Sequence, residues 1–333
     1  MDRTNDDLLI HVSRRAMACE FEVRFSAAKY ELGAEWALDA LDLVDALEGQ
    51  ISYFQPDSDI SRINRLAAHQ PVEIGSQLFD LLSLAMKLHE ETGGAYDITS
   101  APLWEVWGFA RRAGSIPSDA QLADAMSLVG GRLVELDPAR RTVRFKRPGV
   151  RINLGSIGKG FALDVCADRL QAAGMADFLL HGGQSSILAR GSPPIPRAEG
   201  DKPEPPSWEI GIRQPLHPDR RIGIVRLRNR ALGTSGSQFQ SFRHRGQRYG
   251  HILDPRSGRP AEGVLSTTVL APTAALADAL STAFYVMGVE RSLEYCRKHP
   301  EIGAVLISPG PHGGGVELHS AGLGQEEFTV VPD

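Results

Sequence analysis

The sequence predicts an α+β protein on three observations. Segments with helical and with strand periodicity come in mixed blocks, without the strict β-α-β alternation of a doubly wound parallel sheet. Short apolar runs bounded by Gly, Pro, Asn and Asp read as strands that meander rather than cross over. No internal repeat is found. A chain of 333 residues can bury roughly three quarters of the surface its unfolded form exposes, so a sizeable core is expected. That length allows one large or two medium domains, and we expect a single one over 1–333, at about 10–330.

The elements follow in order. Phe21 to Phe25 alternates as a strand, and Gly33 to Ile51 carries Trp36, Leu38, Leu41, Leu43, Val44 and Leu47 at helical spacing. The stretch YFQPDSDIS reads as a loop. Ser76 to Thr92 is a helix stopped by Gly93-Gly94, and Ser118 to Leu128 is a short helix with Ser118 as its N-cap. Leu133 to Leu136, Thr142 to Lys146 and Val150 to Leu154 read as strands. Gly160 to Ala173 is a helix, and Phe178 to Leu180 and Ser185 to Ala189 are buried strands around a Gly-Gly break. Residues 191–207, GSPPIPRAEGDKPEPPS, are rich in Pro and charge and read as an exposed loop. Strands are then expected near Trp208–Ile212, Ile222–Leu227, Ala231–Thr234 and Thr267–Ala271, ahead of the helix LADALSTAFYVMG and a last strand pair.

Composition narrows the function. Hydrophobic residues at 42% and charged residues at 23% match globular averages, so neither disorder nor a fibrous class is indicated. The formal net charge is −5 and the basic residues form no long block, which points away from nucleic acid. Cys19, Cys166 and Cys296 show neither CxxC nor Cys/His ligand spacing, so no zinc site or disulfide framework is expected. The N-terminus MDRTNDDLLIHVSRR lacks the basic-then-apolar pattern of an export signal, and a cytoplasmic location is expected. Val264 to Val289 is apolar enough to suggest a membrane span, but Pro272 and Asp278 interrupt it; a buried strand followed by a buried helix fits better.

Four places hold residues suited to chemistry. On the last helix Asp278 and Thr282 share one face of a segment that is apolar nearly all round. A carboxylate there is paired, hydrogen-bonded or metal-bound, and with a hydroxyl one turn away it would suit a hard cation such as Mg²⁺. In RINLGSIGKGFALD a strand gives way to glycines and a helix that starts near Lys159, a backbone suited to an anion. The loop matches neither GxxxxGK[ST] nor GxGxxG, so a plain strand-to-helix turn is the alternative. His251, taken to lie on an apolar strand, precedes an Asp254-Pro255 turn and follows Thr234-Ser235-Gly236, whose backbone could face a phosphate. Asp97 and Thr99 follow a Gly-Gly stop, with Trp104, Trp107 and Phe109 next as core or as a wall for a planar ligand; Asp97 would serve equally as an N-cap.

In order and wording these stretches, with AMACEFEV, SYFQPDSDISRIN, HGGQSSI, GTSGSQF and GHILDPRSGRP, resemble the ApbE-type FAD:protein FMN transferases from about Met17 to Gly288. The resemblance implies mixed sheets flanked by helices, two subdomains with the nucleotide in the cleft between them, and transfer of FMN from FAD to a Thr or Ser hydroxyl of a target protein with release of AMP. It implies Mg²⁺, or Mn²⁺, on Asp278, Thr282 and the carbonyl of Gly158. His251 and Lys159 would act with Asp278 at the phosphate, His251 as the base. Met17, Tyr53, Asp97, Thr99, Gly155, Gly182, Gly183, Thr234, Ser235 and Gly236 would line the nucleotide site. Departures from the family pattern are Gly158 for the usual Ala, Ser257 for Thr, and His181 and Gln184 in place of Asn and Asp around Gly182-Gly183. A Mg²⁺-dependent FAD pyrophosphatase and a non-catalytic FAD-binding protein are the alternatives.

Overall fold

The computed structural model describes residues 9–111, 114–194, 206–236, 241–311 and 315–331. The chain opens with a hairpin of β1 (Leu9–Ala16) and β2 (Cys19–Ser26), then α1 (Gly33–Ile51) and α2 (Asp59–Leu66). Next come β3 (Val72–Glu73), α3 (Ser76–Glu91), α4 (Ala101–Val106), α5 (Asp119–Met126), β4 (Val134–Asp137) and β5 (Thr142–Phe145). The middle holds α6 (Gly158–Ala172), β6 (Phe178–Gly182), β7 (Ser186–Arg190), β8 (Trp208–Gln214), β9 (His217–Leu227) and β10 (Ala231–Gly236). Two hairpins follow, β11 (Ser241–His244) with β12 (Gln247–Gly250) and β13 (Leu253–Asp254) with β14 (Arg259–Pro260). The chain ends with β15 (Ser266–Ala271), α7 (Ala274–Met287), α8 (Val289–Lys298), β16 (Gly303–Pro309), β17 (Val316–Ala321) and β18 (Phe328–Val330).

The fold class is α+β, as the mixed blocks predict. The main sheet has eight strands in the order β1-β2-β6-β7-β10-β15-β16-β17. Each neighbouring pair in it is antiparallel. Strand alternation divides its apolar side chains between two cores. Leu180, Leu188, Val269 and Leu306 join the helices in one core, while Leu179, Ile187, Leu270 and Ile307 meet Trp208, Ile212 and Val225 of the small sheet β18-β9-β8 in the other. Both faces are therefore covered, and the central strands read as nearly continuous apolar runs.

Several expectations need correction. Val150 to Leu154 forms no strand: Ile152 N–H donates to the Asn64 side chain of α2 at 2.8 Å and Asn153 N–H to the Ile98 carbonyl in the loop before α4 at 2.8 Å, so its hydrogen bonds go to no neighbouring strand. The last three residues of YFQPDSDIS, Asp59 to Ser61, are helical, because Ser58 Oγ accepts the Ser61 N–H at 3.0 Å and caps α2. His251 is not on a strand; it sits at a bend just after β12. The Asp254-Pro255 turn is present, closed by Gly258 N–H on the Asp254 carbonyl at 2.8 Å, with Gly258 at φ 71°. The capping box at Ser118 forms with Gln121. Residues 195–205 of the Pro-rich stretch lie outside the described residues.

Candidate active site

The site begins where α6 and α7 cross. The contact is close because Gly160 has no side chain: a Cβ there would fall 2.1 Å from the Ala274 carbonyl oxygen. Gly233 of β10 makes the same allowance on the other side, where a Cβ would lie 2.5 Å from Ala277 backbone atoms. Thus α7, apolar nearly all round, is wedged between α6 and the sheet, and Asp278 is 6% exposed.

Two carboxylates bind each helix to the start of the other. Asp278 Oδ2 accepts the Gly160 N–H of α6 at 2.7 Å, and Ser186 Oγ lies 2.8 and 2.9 Å from its two oxygens. From α6, Asp164 accepts the Ala274 N–H at 2.7 Å and the Ala275 N–H at 2.9 Å. Burial pushes both carboxyls up to about 6, opposed at Asp278 chiefly by the Lys159 charge and at Asp164 by the two amides. Hydroxyls gather beside Asp278: Ser281 Oγ donates to its carbonyl at 2.8 Å, and Ser235 Oγ lies 2.8 Å from Ser281 Oγ and 3.2 Å from Thr282 Oγ1.

These groups open onto a cavity of about 430 Å³. Asp278, Thr282 and Lys159 line it, joined by Gly155 and by Thr234, Ser235 and Gly236 of β10. His251 lines it from the bend after β12, and Asp97 from the loop before α4. Phe54, Tyr96 and Trp104 supply an aromatic wall. Asp97 shapes its loop as an Asx turn rather than as a helix cap, accepting the Thr99 N–H at 2.7 Å and the Thr99 hydroxyl at 2.6 Å. Its other oxygen is 3.2 Å from His89 Nδ1, which raises the His89 pKa.

A second cavity, of about 780 Å³, adjoins the first and shares Lys159, Ser185, Thr234 and Gly236 with it. Met17 and Gly183 lie here, with His181, Gln184 and Arg213. Met17 and Ala18 form the β1–β2 turn at φ 48° and 59°, left-handed values rare for non-glycine residues, and Met17 N–H is anchored on Glu48 Oε2 at 2.8 Å. The His181 imidazole is mostly buried; burial, with help from the Arg24 charge, pushes its pKa down to about 4. Among the described residues, His181 Nε2 is a buried side-chain atom with no hydrogen-bond partner.

Four of the expected residues line neither cavity. Tyr53 stands behind the wall, its hydroxyl donating to Glu105 Oε1 at 2.6 Å, while its neighbour Phe54 faces the cavity. Thr99 is fully buried and accepts the Gly130 N–H at 2.7 Å. Gly158 and Gly182 are buried within α6 and β6. Sequence reasoning missed Asp164, Ser186 and Ser281. Asp164 lies one turn after Gly160 on α6, but Asp168 follows it one turn later on the same helix, so the sequence does not single it out.

No cluster of three or more His, Cys, Asp or Glu suited to a metal occurs among the described residues. What converges instead is one buried carboxylate with the hydroxyls of Thr282, Ser281 and Ser235. An all-oxygen, singly charged set of this kind fits a hard divalent ion that completes its shell with phosphate and water. Lys159 adds positive charge to the same wall. No helix among the described residues is long and apolar enough to cross a membrane.

Known proteins resemble this chain in sequence and in fold. FAD:protein FMN transferase of Haemophilus influenzae is 31% identical over 262 residues, which cover 76% of this chain and 72% of the relative. The enzyme of the same name from Vibrio cholerae is 29% identical over 290 residues, covering 85% and 83%. The solved structure of flavin transferase ApbE from Vibrio cholerae superposes with TM-score 0.79 at 25% identity, covering 94% of this chain and 97% of that one. Flavinyl transferase ApbE of Pseudomonas stutzeri, in its apo form, gives 0.80 at 26% identity and 96% coverage of both chains. Residues 17–306 match the ApbE family model, and the chain belongs to the ApbE family.

Proposed function

We propose that this protein is an FAD:protein FMN transferase that works with Mg²⁺, moving FMN from FAD to a Thr or Ser hydroxyl of a target protein and releasing AMP. The observation that carries this reading is the convergence of Asp278, Thr282, Lys159 and His251 on one cavity. An oxygen donor set, a fixed cation and a titratable imidazole around one small space are what attack at a diphosphate requires.

Asp278, with Thr282 beside it, would hold the metal; bound there, Mg²⁺ neutralises charge on the diphosphate as the bond to AMP breaks. In this reading the carbonyl of Gly158 would be a third protein ligand, although Gly158 lies within α6 and lines neither cavity. Lys159 and the backbone at Gly155 and Thr234 to Gly236 hold the phosphate oxygens. The acceptor oxygen bonds to the FMN phosphorus, the bond from that phosphorus to the AMP oxygen breaks, and the hydroxyl proton passes to His251. Phe54, Tyr96 and Trp104 offer ring faces to a planar group of FAD.

The test is to incubate the protein with FAD, Mg²⁺ and a threonine-bearing acceptor domain and follow intact mass, free FMN and AMP. An acceptor heavier by FMN less water, with AMP released one for one, is the expected result. Free FMN with an unmodified acceptor would overturn transfer in favour of hydrolysis, and intact FAD would overturn both. His251→Ala should slow the chemical step with FAD still bound.

A further inference from the structure

The residues from Ser241 to Gly250, SFRHRGQRYG, contain three arginines and no acidic residue in a protein of net charge −5. They fold as the β11–β12 hairpin, which ends immediately before His251. Its turn is Arg245-Gly246 at φ 48° and 83°, so arginine occupies a left-handed position that usually falls to Asn or Gly. The register sets Arg243 directly opposite Arg248, and like charges in that relation destabilise a strand pair. Arg243, Arg245 and Arg248 are exposed, and neither Arg243 nor Arg245 meets a carboxylate among the described residues.

The other face of the hairpin is fixed. Phe242 and Tyr249 stack at 5.3 Å and pack on Phe109 and Trp107 at 5.5 and 5.7 Å. Phe109 in turn stacks on Trp104, which lines the cavity. Aromatic contacts therefore hold a cationic surface beside the mouth of the site. Arg243 and Arg245, exposed on an anchored hairpin with no carboxylate against them among the described residues, form a pattern expected where a partner brings the opposite charge.

We propose that the arginine face of the β11–β12 hairpin docks the acceptor protein, and that this protein carries a negatively charged surface around its acceptor hydroxyl. The proposal rests on the transferase reading above. Docking on this hairpin delivers the hydroxyl on the side of the cavity where His251 stands. Pairing across an exposed rim acts mainly on the encounter, so it is steepest at low ionic strength.

The experiment compares the wild type with Arg243→Glu/Arg245→Glu and Arg243→Lys/Arg245→Lys. Each is given a threonine-bearing flavin-acceptor domain with acidic surroundings, or the same domain with those carboxylates changed to amides. Intact mass gives the rate of transfer, and AMP release without acceptor gives cleavage by water. The double Glu variant should raise the KM for the acidic domain at least tenfold and flatten its salt dependence. Its AMP release without acceptor should be unchanged, and the double Lys variant should behave as wild type. Equal transfer by wild type and the double Glu variant, or loss of the water reaction along with transfer, overturns the docking surface alone. A wild type that releases AMP yet modifies neither domain overturns the transferase reading instead.

Discussion

Lys159 stands between two cavities whose buried polar groups are treated in opposite ways. In the smaller one the Asp278 carboxylate is enclosed, but both of its oxygens are bonded, to Gly160 N–H and Ser186 Oγ. In the larger one the His181 imidazole is mostly enclosed, and its Nε2 has no partner among the described residues. Burial acts on both in the same sense, against charge, raising the acid to about 6 and lowering the base to about 4. The difference shows where the molecule is over-determined. Around Asp278 the helices, the glycines that let them touch and the hydrogen bonds fix one another. Around His181 the ring is kept neutral by its surroundings and specified by little else.

The strongest way to break the comparison is to remove Asp278. Asp278→Ala should lower Mg²⁺-dependent AMP release by about a thousandfold or more, since it deletes the carboxylate one turn from Thr282 in the cavity wall. It also strands the Gly160 N–H and the Ser186 hydroxyl, at a cost of about 1–3 kcal/mol in denaturant unfolding. A variant that keeps its rate would take Asp278 out of the mechanism. Gly160→Ala comes next. A Cβ at 2.1 Å from the Ala274 oxygen meets backbone rather than a flexible side chain, so α6 and α7 must separate. We expect a loss of about 3 kcal/mol or more, together with activity, because the same separation pulls Gly160 N–H away from Asp278. Unchanged stability would mean that the contact is slack and the site is not fixed by it.

Asp164→Ala probes the same junction from the other side. It leaves the Ala274 and Ala275 amides without acceptors, and a lost N-terminal cap of this kind costs about 2 kcal/mol. Activity should fall less than in Asp278→Ala, because Asp164 lines neither cavity. Thermal unfolding and AMP release measured on both variants separate the two roles. An Asp164 variant as inactive as Asp278→Ala would show that both carboxylates act directly at the site.

Much of the over-determined region was legible in the sequence, and less of the rest. A lone carboxylate in LADALSTAFYVMG, with a threonine one turn on, marks a buried polar group that must have partners, and the structure supplies them. The partners themselves were not legible. Asp164 lies 114 residues from Asp278 in sequence, and only the crossing of α6 and α7 makes each the other helix's cap. Val150 to Leu154 alternates as a strand does, yet its amides are taken by Asn64 and Ile98, a competition that periodicity does not register. The β11–β12 hairpin gives a weak signal because its turn is Arg-Gly rather than Asn-Gly and its outer face is charged. Tyr53 was placed near the ligand by its position in a motif, but the backbone turns Phe54 to the cavity and leaves Tyr53 on Glu105.

His181→Asn is the mildest change and the sharpest probe of the less constrained region. At neutral pH it replaces one small uncharged polar group by another, and we expect less than about 1 kcal/mol of effect. Acid separates the two proteins. In the unfolded chain the imidazole takes up a proton below its ordinary value of 6.5, whereas in the folded protein it resists until about 4. The unfolded state thus binds the extra proton across that window. The part of wild-type stability that depends on the His181 ring is complete above pH 6.5 and declines as the pH falls toward 4, by about 3 kcal/mol at the most. Arg24, Glu22 and His11 face the ring, and Arg24 works in the same direction by disfavouring a second positive charge. Glu22 is pushed up by burial, but Arg24 more than offsets this, with smaller help from His181 and His11, and holds it below its ordinary value, so its own acid loss lies at lower pH. The difference between the two unfolding curves, followed from pH 7 to pH 4 by denaturant titration, isolates His181. A gap that closes as the pH rises is the expected outcome. Parallel curves would mean that water or a local rearrangement already satisfies Nε2, and that the second cavity is as well specified as the first.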